Sequence, residues 1–294
     1  MYSRLFIFII LPSLVVVSLS GCFVRYSIDA RNQTFNEVIR RSADLQTETL
    51  QTRYFKHRIV YRITRPGEKH LVVYIEGDGF AWDGKYQASD DPTPLDPVAA
   101  RMMQQDGRAN VLYIARPCQY TRASDDRCEE KYWTSHRYSK QVIASIDEAI
   151  ELFINRQGLD VNAMTLIGYS GGGTLAMLLA TQTTRPVRPI RPISMVITVA
   201  SNLDHRAWSR YHQVTPLQGS EELTGRAERL RAIPQLHLSG SEDRIVPANL
   251  TEQFISDMGL AGIARLRVMK GFDHKCCWAD EWQDILRNNY QGLN

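Results

Sequence analysis

Ser170 is the residue whose setting most suggests chemistry. It lies in "LIGYSGGGTL" (166–175), where an apolar run ends in a glycine, one serine and three further glycines. Gly168, Ser170 and Gly172 fit G-x-S-x-G. That pattern marks a sharp turn from strand to helix, with glycines two residues to either side because bulkier neighbours would collide. The turn lifts the serine hydroxyl above a sheet edge, and the helix start beneath it offers backbone N–H groups. A phosphate loop would need G-x-x-x-x-G-K-[ST], and no lysine stands nearby. A serine hydroxyl is a poor nucleophile without a base. Seven histidines could serve: His57, His70, His136, His205, His212, His237 and His274. His274 follows the last strand-like run, in "VMKGFDHKCCW". His237 lies inside a strand pattern and reads as buried structure. Between nucleophile and base, "LHLSGSEDRIVP" offers two carboxylates, Glu242 and Asp243.

The surrounding elements place these groups at one edge. "HRIVYRITR" alternates and reads as an early strand. "LVVYIEGDGF" and "ANVLYIARP" are continuous apolar runs, as expected of strands buried on both faces. "AMTLIGYS", "SMVITVAS", "PQLHLSGSED" and "ARLRVMKGFDH" read as four more strands, each ending in polar or glycine residues. Residues 139–157 place Val142, Ile143, Ile146, Ala149, Ile150 and Phe153 at helical spacing. "GGTLAMLLATQ", "PANLTEQFISDMG" and "ADEWQDILRNNY" read as further helices, and an amphipathic helix is expected around 35–50. Strands alternating with helices argue for a mostly parallel sheet with helices on both faces. Functional groups gather at the carboxyl ends of such strands.

With serine, acid and histidine in that chain order, the sequence resembles the α/β-hydrolase superfamily from about residue 55 to 290. The resemblance implies the α/β-hydrolase fold, a mostly parallel central sheet flanked by helices, and a catalytic triad Ser170–Asp243–His274. G-x-x-D-x-x-V-P over 240–247 resembles the family's acid loop and selects Asp243 over Glu242. The oxyanion hole is expected from the N–H of Gly171 and one in "YIEGDGF", with Asp78 first and Gly79 next. That stretch resembles the family's His-Gly-x motif, with Glu76 where the family usually has His. A carboxylate near a developing oxyanion is unfavourable, so the Asp78 side chain is expected to point away.

Two loops border this edge. Residues 116–139 are polar and aromatic, and Trp133, His136 and Arg137 are candidates either to bind substrate or to pack the loop. Residues 202–220 lie where this fold commonly inserts a lid. They are short and polar, which favours a small ester or amide substrate over a long-chain lipid.

The N-terminus reads as a targeting segment: Arg4, then a short apolar core over 5–19 interrupted by Pro12. "LSGC" (19–22) resembles a bacterial lipobox. This implies a signal peptide over 1–21, lipid on Cys22, and a membrane anchor. Phe23, rather than Asp, after the cysteine favours the outer membrane, facing the periplasm. Residues 22–54 are then a tether and N-terminal helix, and 55–294 the hydrolase domain. Export leaves Cys118, Cys128, Cys276 and Cys277 to form disulfides, with three pairings open. Cys118–Cys128 is the favoured pair and leaves Cys276 and Cys277 beside His274. The rival crosses the two loops. "CC" is no zinc spacing, so neither a metal nor another cofactor is expected. The net charge of +3, without a basic stripe, gives no argument for nucleic acid. Two function classes remain: a lipid-anchored serine hydrolase, or a catalytically silent hydrolase-fold lipoprotein that binds an envelope partner.

Overall fold

The computed structural model describes residues 27–84, 86–182 and 192–290. The stretch read as a signal peptide (1–21), the lipobox-like "LSGC" with Cys22 and nearly all of the "RPVRPIRP" patch lie outside them. Helix α1 (Ile28–Arg40) precedes β1 (Gln46–Gln51), β2 (Lys56–Ile63) and β3 (His70–Ile75). The short strands β4 (Trp82–Asp83) and β5 (Gln87–Ala88) pair with each other. Then come α2 (Val98–Gln104), β6 (Asn110–Ile114), α3 (Lys140–Arg156), β7 (Ala163–Tyr169) and α4 (Gly171–Ala180). The chain continues through β8 (Ile193–Val199), α5 (His205–His212), α6 (Ala227–Arg231), β9 (Gln235–Gly240), α7 (Ala248–Asp257), β10 (Ala264–Met269) and α8 (Trp282–Tyr290).

Among the described residues the main sheet has eight strands in the order β1-β2-β6-β3-β7-β8-β9-β10. β2 runs antiparallel to both of its neighbours, and the pairs from β6 to β10 are parallel. Its central strands are apolar throughout because both faces are covered. Leu71, Val73 and Ile75 of β3 join one buried cluster, with Val142, Ile146 and Phe153 of α3. The alternate residues Val72 and Tyr74 join the other, with Phe35 of α1 and Trp282 of α8. Period-two alternation thus divides one continuous apolar run between two cores. The crossover from β3 leads to β6 on one side, and the next, from β6, passes back over β3 to β7 on the other. The crevice at that switch point is the place where this architecture exposes a ligand site.

The N-terminal part differs from the expectation of a helix over 35–50. The helix ends at Arg40, and Gln46–Gln51 forms β1, an edge strand paired antiparallel to β2. "QTETLQ" carries one apolar side chain, Leu50, which is fully buried. Its conformation is decided by the partner strand rather than by its own pattern. Sheet residues therefore lie inside the stretch expected to be tether and helix. The expected helix over 139–157 forms as α3, with the Ser139 hydroxyl accepting from Val142 N–H at its start.

Candidate active site

Ser170 joins β7 to α4 with φ 51° and ψ −123°, a conformation that non-glycine residues rarely adopt. Close packing enforces it. A Cβ on Gly168 would run into the Gly172 backbone, and one on Gly172 into the Ile75 carbonyl. The Ser170 N–H donates to Val199 O at 2.8 Å, and its side chain stays partly exposed at the sheet edge.

His274 reaches this edge from the loop after β10, and Asp243 from the loop after β9. His274 Nδ1 lies 2.9 Å from Asp243 Oδ2, and Nε2 lies 3.1 Å from Ser170 Oγ. An ionised carboxylate can only accept, so Nδ1 carries the hydrogen and Nε2 accepts from the serine hydroxyl. Asp243 is buried, and its Oδ1 accepts from the N–H groups of Ile245 and Val246, each at 2.8 Å. Glu242, the other acid in that loop, is exposed and takes no part in the chain. Such an array can draw the proton from the hydroxyl and hold the imidazolium that results. Sequence reasoning missed Tyr169, the unconstrained position in the serine motif. Its hydroxyl donates to His274 O at 2.8 Å. His237, expected as structure, is fully buried, with Nδ1 2.7 Å from Thr198 Oγ1, and burial pulls it down to about 4.

On the other side of Ser170, the loop after β3 packs against the start of α4. Gly171 and Asp78 adjoin closely: a Cβ on Gly171 would strike the Asp78 carboxylate. Gly171 is the first residue of α4, where N–H groups have no partner within the helix. Among the described residues, neither its N–H nor that of Asp78 has an acceptor. Gly79, the next candidate, has φ 68° and no room for a side chain against Pro92 O and Gln119. The Asp78 side chain does not turn away, as the sequence led us to expect. It stays beside Gly171 because Arg116 and Arg137 compensate its charge, Arg137 Nη1 donating to Oδ2 at 2.7 Å. Burial alone would raise the carboxyl, but the two guanidinium groups more than offset this and hold it below the usual range.

Glu76 stands where a histidine was expected and is fully buried under the loop. It accepts from Gly77 N–H at 2.9 Å, Ala99 N–H at 3.4 Å and Tyr113 OH at 3.1 Å. Burial pushes its carboxyl up to about 7, against the pull of these three bonds. The 116–139 loop divides its candidates. Trp133 is buried and donates to Ser89 O, and the His136 ring packs against Gly219 beside Ser135, so both brace the loop. Arg137 reaches the site. Cys118 pairs with Cys128 and Cys276 with Cys277, so the crossed arrangement does not occur. In the 202–220 segment, α5 packs against the loop that carries Asp243. Trp208 Nε1 donates to Ile245 O, and His212 Nε2 lies 2.8 Å from the same carbonyl. A cavity of about 610 Å³ lined by Asp243, Ile245 and His274 opens on that side.

Fold and site geometry define a serine hydrolase of the α/β-hydrolase fold. Residues 90–260, more than half of the chain, match the family model described as Serine hydrolase (FSH1). The chain belongs to the FSH1 serine hydrolase family. No curated protein matches the sequence. Among solved structures, the chain resembles an esterase from Pyrococcus furiosus at 13% identity and TM-score 0.57, over 85% of this chain and 93% of that one. It resembles an alpha-beta serine hydrolase homologue from Coxiella burnetii at 12% identity and TM-score 0.53, over 83% and 97%. An acylaminoacyl peptidase from Pyrococcus horikoshii aligns at 11% identity and TM-score 0.57, over 86% of this chain and 43% of its own length.

Proposed function

We propose that the protein is a lipid-anchored hydrolase of the bacterial envelope that cleaves a carboxylic ester through an acyl-enzyme. Ser170 is the nucleophile and His274 the base, and Asp243 holds the imidazole. The observation that carries this reading is the unbroken chain from Asp243 Oδ2 through His274 to Ser170 Oγ, at 2.9 Å and 3.1 Å. His274 takes the Ser170 proton as Oγ attacks the acyl carbon. The imidazolium then protonates the leaving alcohol, and water attacks the acyl-enzyme by the same route in reverse. The N–H groups of Gly171 and Asp78 meet the oxyanion. The short, polar 202–220 segment, where this fold commonly inserts a lid, supports a small ester as substrate. The family and its esterase-like neighbours support hydrolysis, and the peptidase neighbour keeps an amide in view. The lipobox-like "LSGC" supports the anchor on Cys22, and Phe23 after it, in place of Asp, favours the outer membrane, facing the periplasm.

Labelling of the ectodomain with a fluorophosphonate tests the chemistry. The wild type is expected to take one equivalent on Ser170, and Ser170→Ala none. A wild-type enzyme that stays unlabelled would reject it. Mass spectrometry of the mature N-terminus tests the anchor. An unacylated terminus away from Cys22 would reject that part alone.

A further inference from the structure

We propose that Arg116 and Arg137 are positioning residues for the reaction. Through Asp78 they fix the second oxyanion donor, and their excess positive charge favours the oxyanion. This rests on the reading of Ser170 as the nucleophile.

The Asp78 carboxylate is held at both ends. Arg116 Nη1 donates to Oδ1, and Arg137 Nη1 to Oδ2 at 2.7 Å. The arginine side chains are only 4% and 6% exposed, whereas Asp78 is 22% exposed and lies between them and the cleft. Both guanidinium groups are anchored a second time. Arg137 Nε donates to Thr134 O at 2.8 Å, Arg116 Nη2 donates to Arg137 O, and Arg116 lies over the Tyr138 ring. The clamp cannot follow Asp78 if it moves, so Asp78 must conform to the clamp.

The same segment also grips the peptide that carries the donor. Gln119 Nε2 donates to Gly77 O at 2.9 Å, while its Oε1 accepts from Arg116 N–H at 3.0 Å. In a trans peptide, the Gly77 carbonyl and the Asp78 N–H point in opposite directions. Fixing the carbonyl towards Gln119 therefore aims the N–H the other way. Cys118 and Tyr120 both have positive φ, 72° and 63°, and the tight turn they make presents Gln119 to Gly77. The position of the Asp78 N–H is thus set from both of its flanks.

The charge balance points the same way. At the clamp itself two buried cations face one carboxylate, a local net positive charge that costs folding and that Glu76 beneath the loop offsets only where it ionises. It stands where Ser170 would generate a negative oxygen, and a preorganised positive field there lowers the barrier. A group acting in this way changes kcat and leaves ground-state binding of a neutral ester nearly untouched.

The test compares Arg137→Ala, Arg137→Lys and Asp78→Asn on p-nitrophenyl acetate, per Ser170 site titrated to completion with fluorophosphonate. The expected loss in kcat is roughly 10²-fold for Arg137→Ala, the scale of one oxyanion contact. KM should stay within about threefold, and Arg137→Lys should recover part of the loss. Affinity for a boronic acid, which forms an anionic tetrahedral adduct on Ser170, should fall in step with kcat. Where Arg137→Ala does not fold, Arg137→Lys and Asp78→Asn carry the comparison. An unchanged kcat per titrated site would overturn the proposal. So would an effect confined to KM, because the arginines would then be a substrate contact or mere scaffolding. If wild-type Ser170 takes no probe, the nucleophile reading fails instead.

Discussion

The two flanks of Ser170 are built on different principles. On the histidine flank, each loop closes on itself. Asp243 Oδ1 caps the N–H groups two and three residues on, and Asp273 Oδ1 does the same for Lys275 and Cys276 at 2.7 Å. Such turns are local properties of Asp in a short loop. On the oxyanion flank, the decisive contacts span the chain. Asp78 meets Arg116 across 38 residues and Arg137 across 59, and Gln119 meets Gly77 across 42. The histidine flank opens to a cavity, while the oxyanion flank is buried and charged. In the proposed reaction, one flank moves a proton in and out, and the other holds a fixed field.

The largest expected effect follows from that division. His274→Ala removes the proposed base, so kcat should fall on the order of 10⁴-fold, about 5 kcal/mol of barrier. The ring is partly exposed at the cleft, so thermal unfolding should shift by no more than a few degrees. Asp243→Asn should follow in kcat, because the amide disturbs the tautomer that His274 needs. Retained turnover in His274→Ala, measured on a p-nitrophenyl ester, would put the proton transfer elsewhere and dissolve the contrast between the flanks.

The same contrast explains what could be read in the sequence. The strand–Ser170–helix turn was legible because its glycines are a steric requirement of a few adjacent residues. The sheet was legible because burial on both faces forces continuous apolar runs. β1 was not, since "QTETLQ" is polar and takes its form from β2. Nor was the fate of the Asp78 carboxylate. The expectation that the carboxylate turns away is sound in isolation, and it fails here because two arginines far along the chain hold it and more than compensate its charge. No local spacing connects those residues. Tyr169 escaped notice for the opposite reason: it occupies the motif position that the turn itself leaves unconstrained.

A second prediction concerns Glu76, the buried base of the oxyanion flank. Its folded value is raised from 4.5 to about 7. The folded state therefore holds the proton more tightly than the unfolded chain, and Glu76 subtracts stability as pH rises from about 4.5 through 7. The full difference is at most roughly 3 kcal/mol. Glu76→Gln removes this titration. Urea unfolding at pH 5 and pH 8 should show the variant gaining on wild type at the higher pH. His57 and His237 are fully buried and pulled down to about 4, so they act in the opposite direction and lose stability as pH falls from 6.5. They are unchanged in the variant, so the difference between the two proteins isolates Glu76. A difference that stays flat with pH would mean that the carboxyl beneath the loop does not titrate in this range.

The smallest effect sharpens the comparison most, because it concerns the side chain placed between the flanks. The Tyr169 ring lies beneath Gly77, where an added Cβ would come within 3.0 Å, and its hydroxyl holds the His274 carbonyl at 2.8 Å. Burial raises that hydroxyl well above its ordinary value, so it remains a donor throughout the working pH range. Tyr169→Phe keeps the ring under the oxyanion loop and removes only the bond to the histidine loop. Losing one such bond costs about 1 kcal/mol, or roughly fivefold in kcat/KM. Combined with Arg137→Lys, the losses should multiply, with a coupling below about 0.5 kcal/mol, because each change touches one flank and they share no partner. A larger coupling would show that the Tyr169 hydroxyl transmits the position of one flank to the other. The proton carrier and the fixed field would then be a single mechanical unit rather than two.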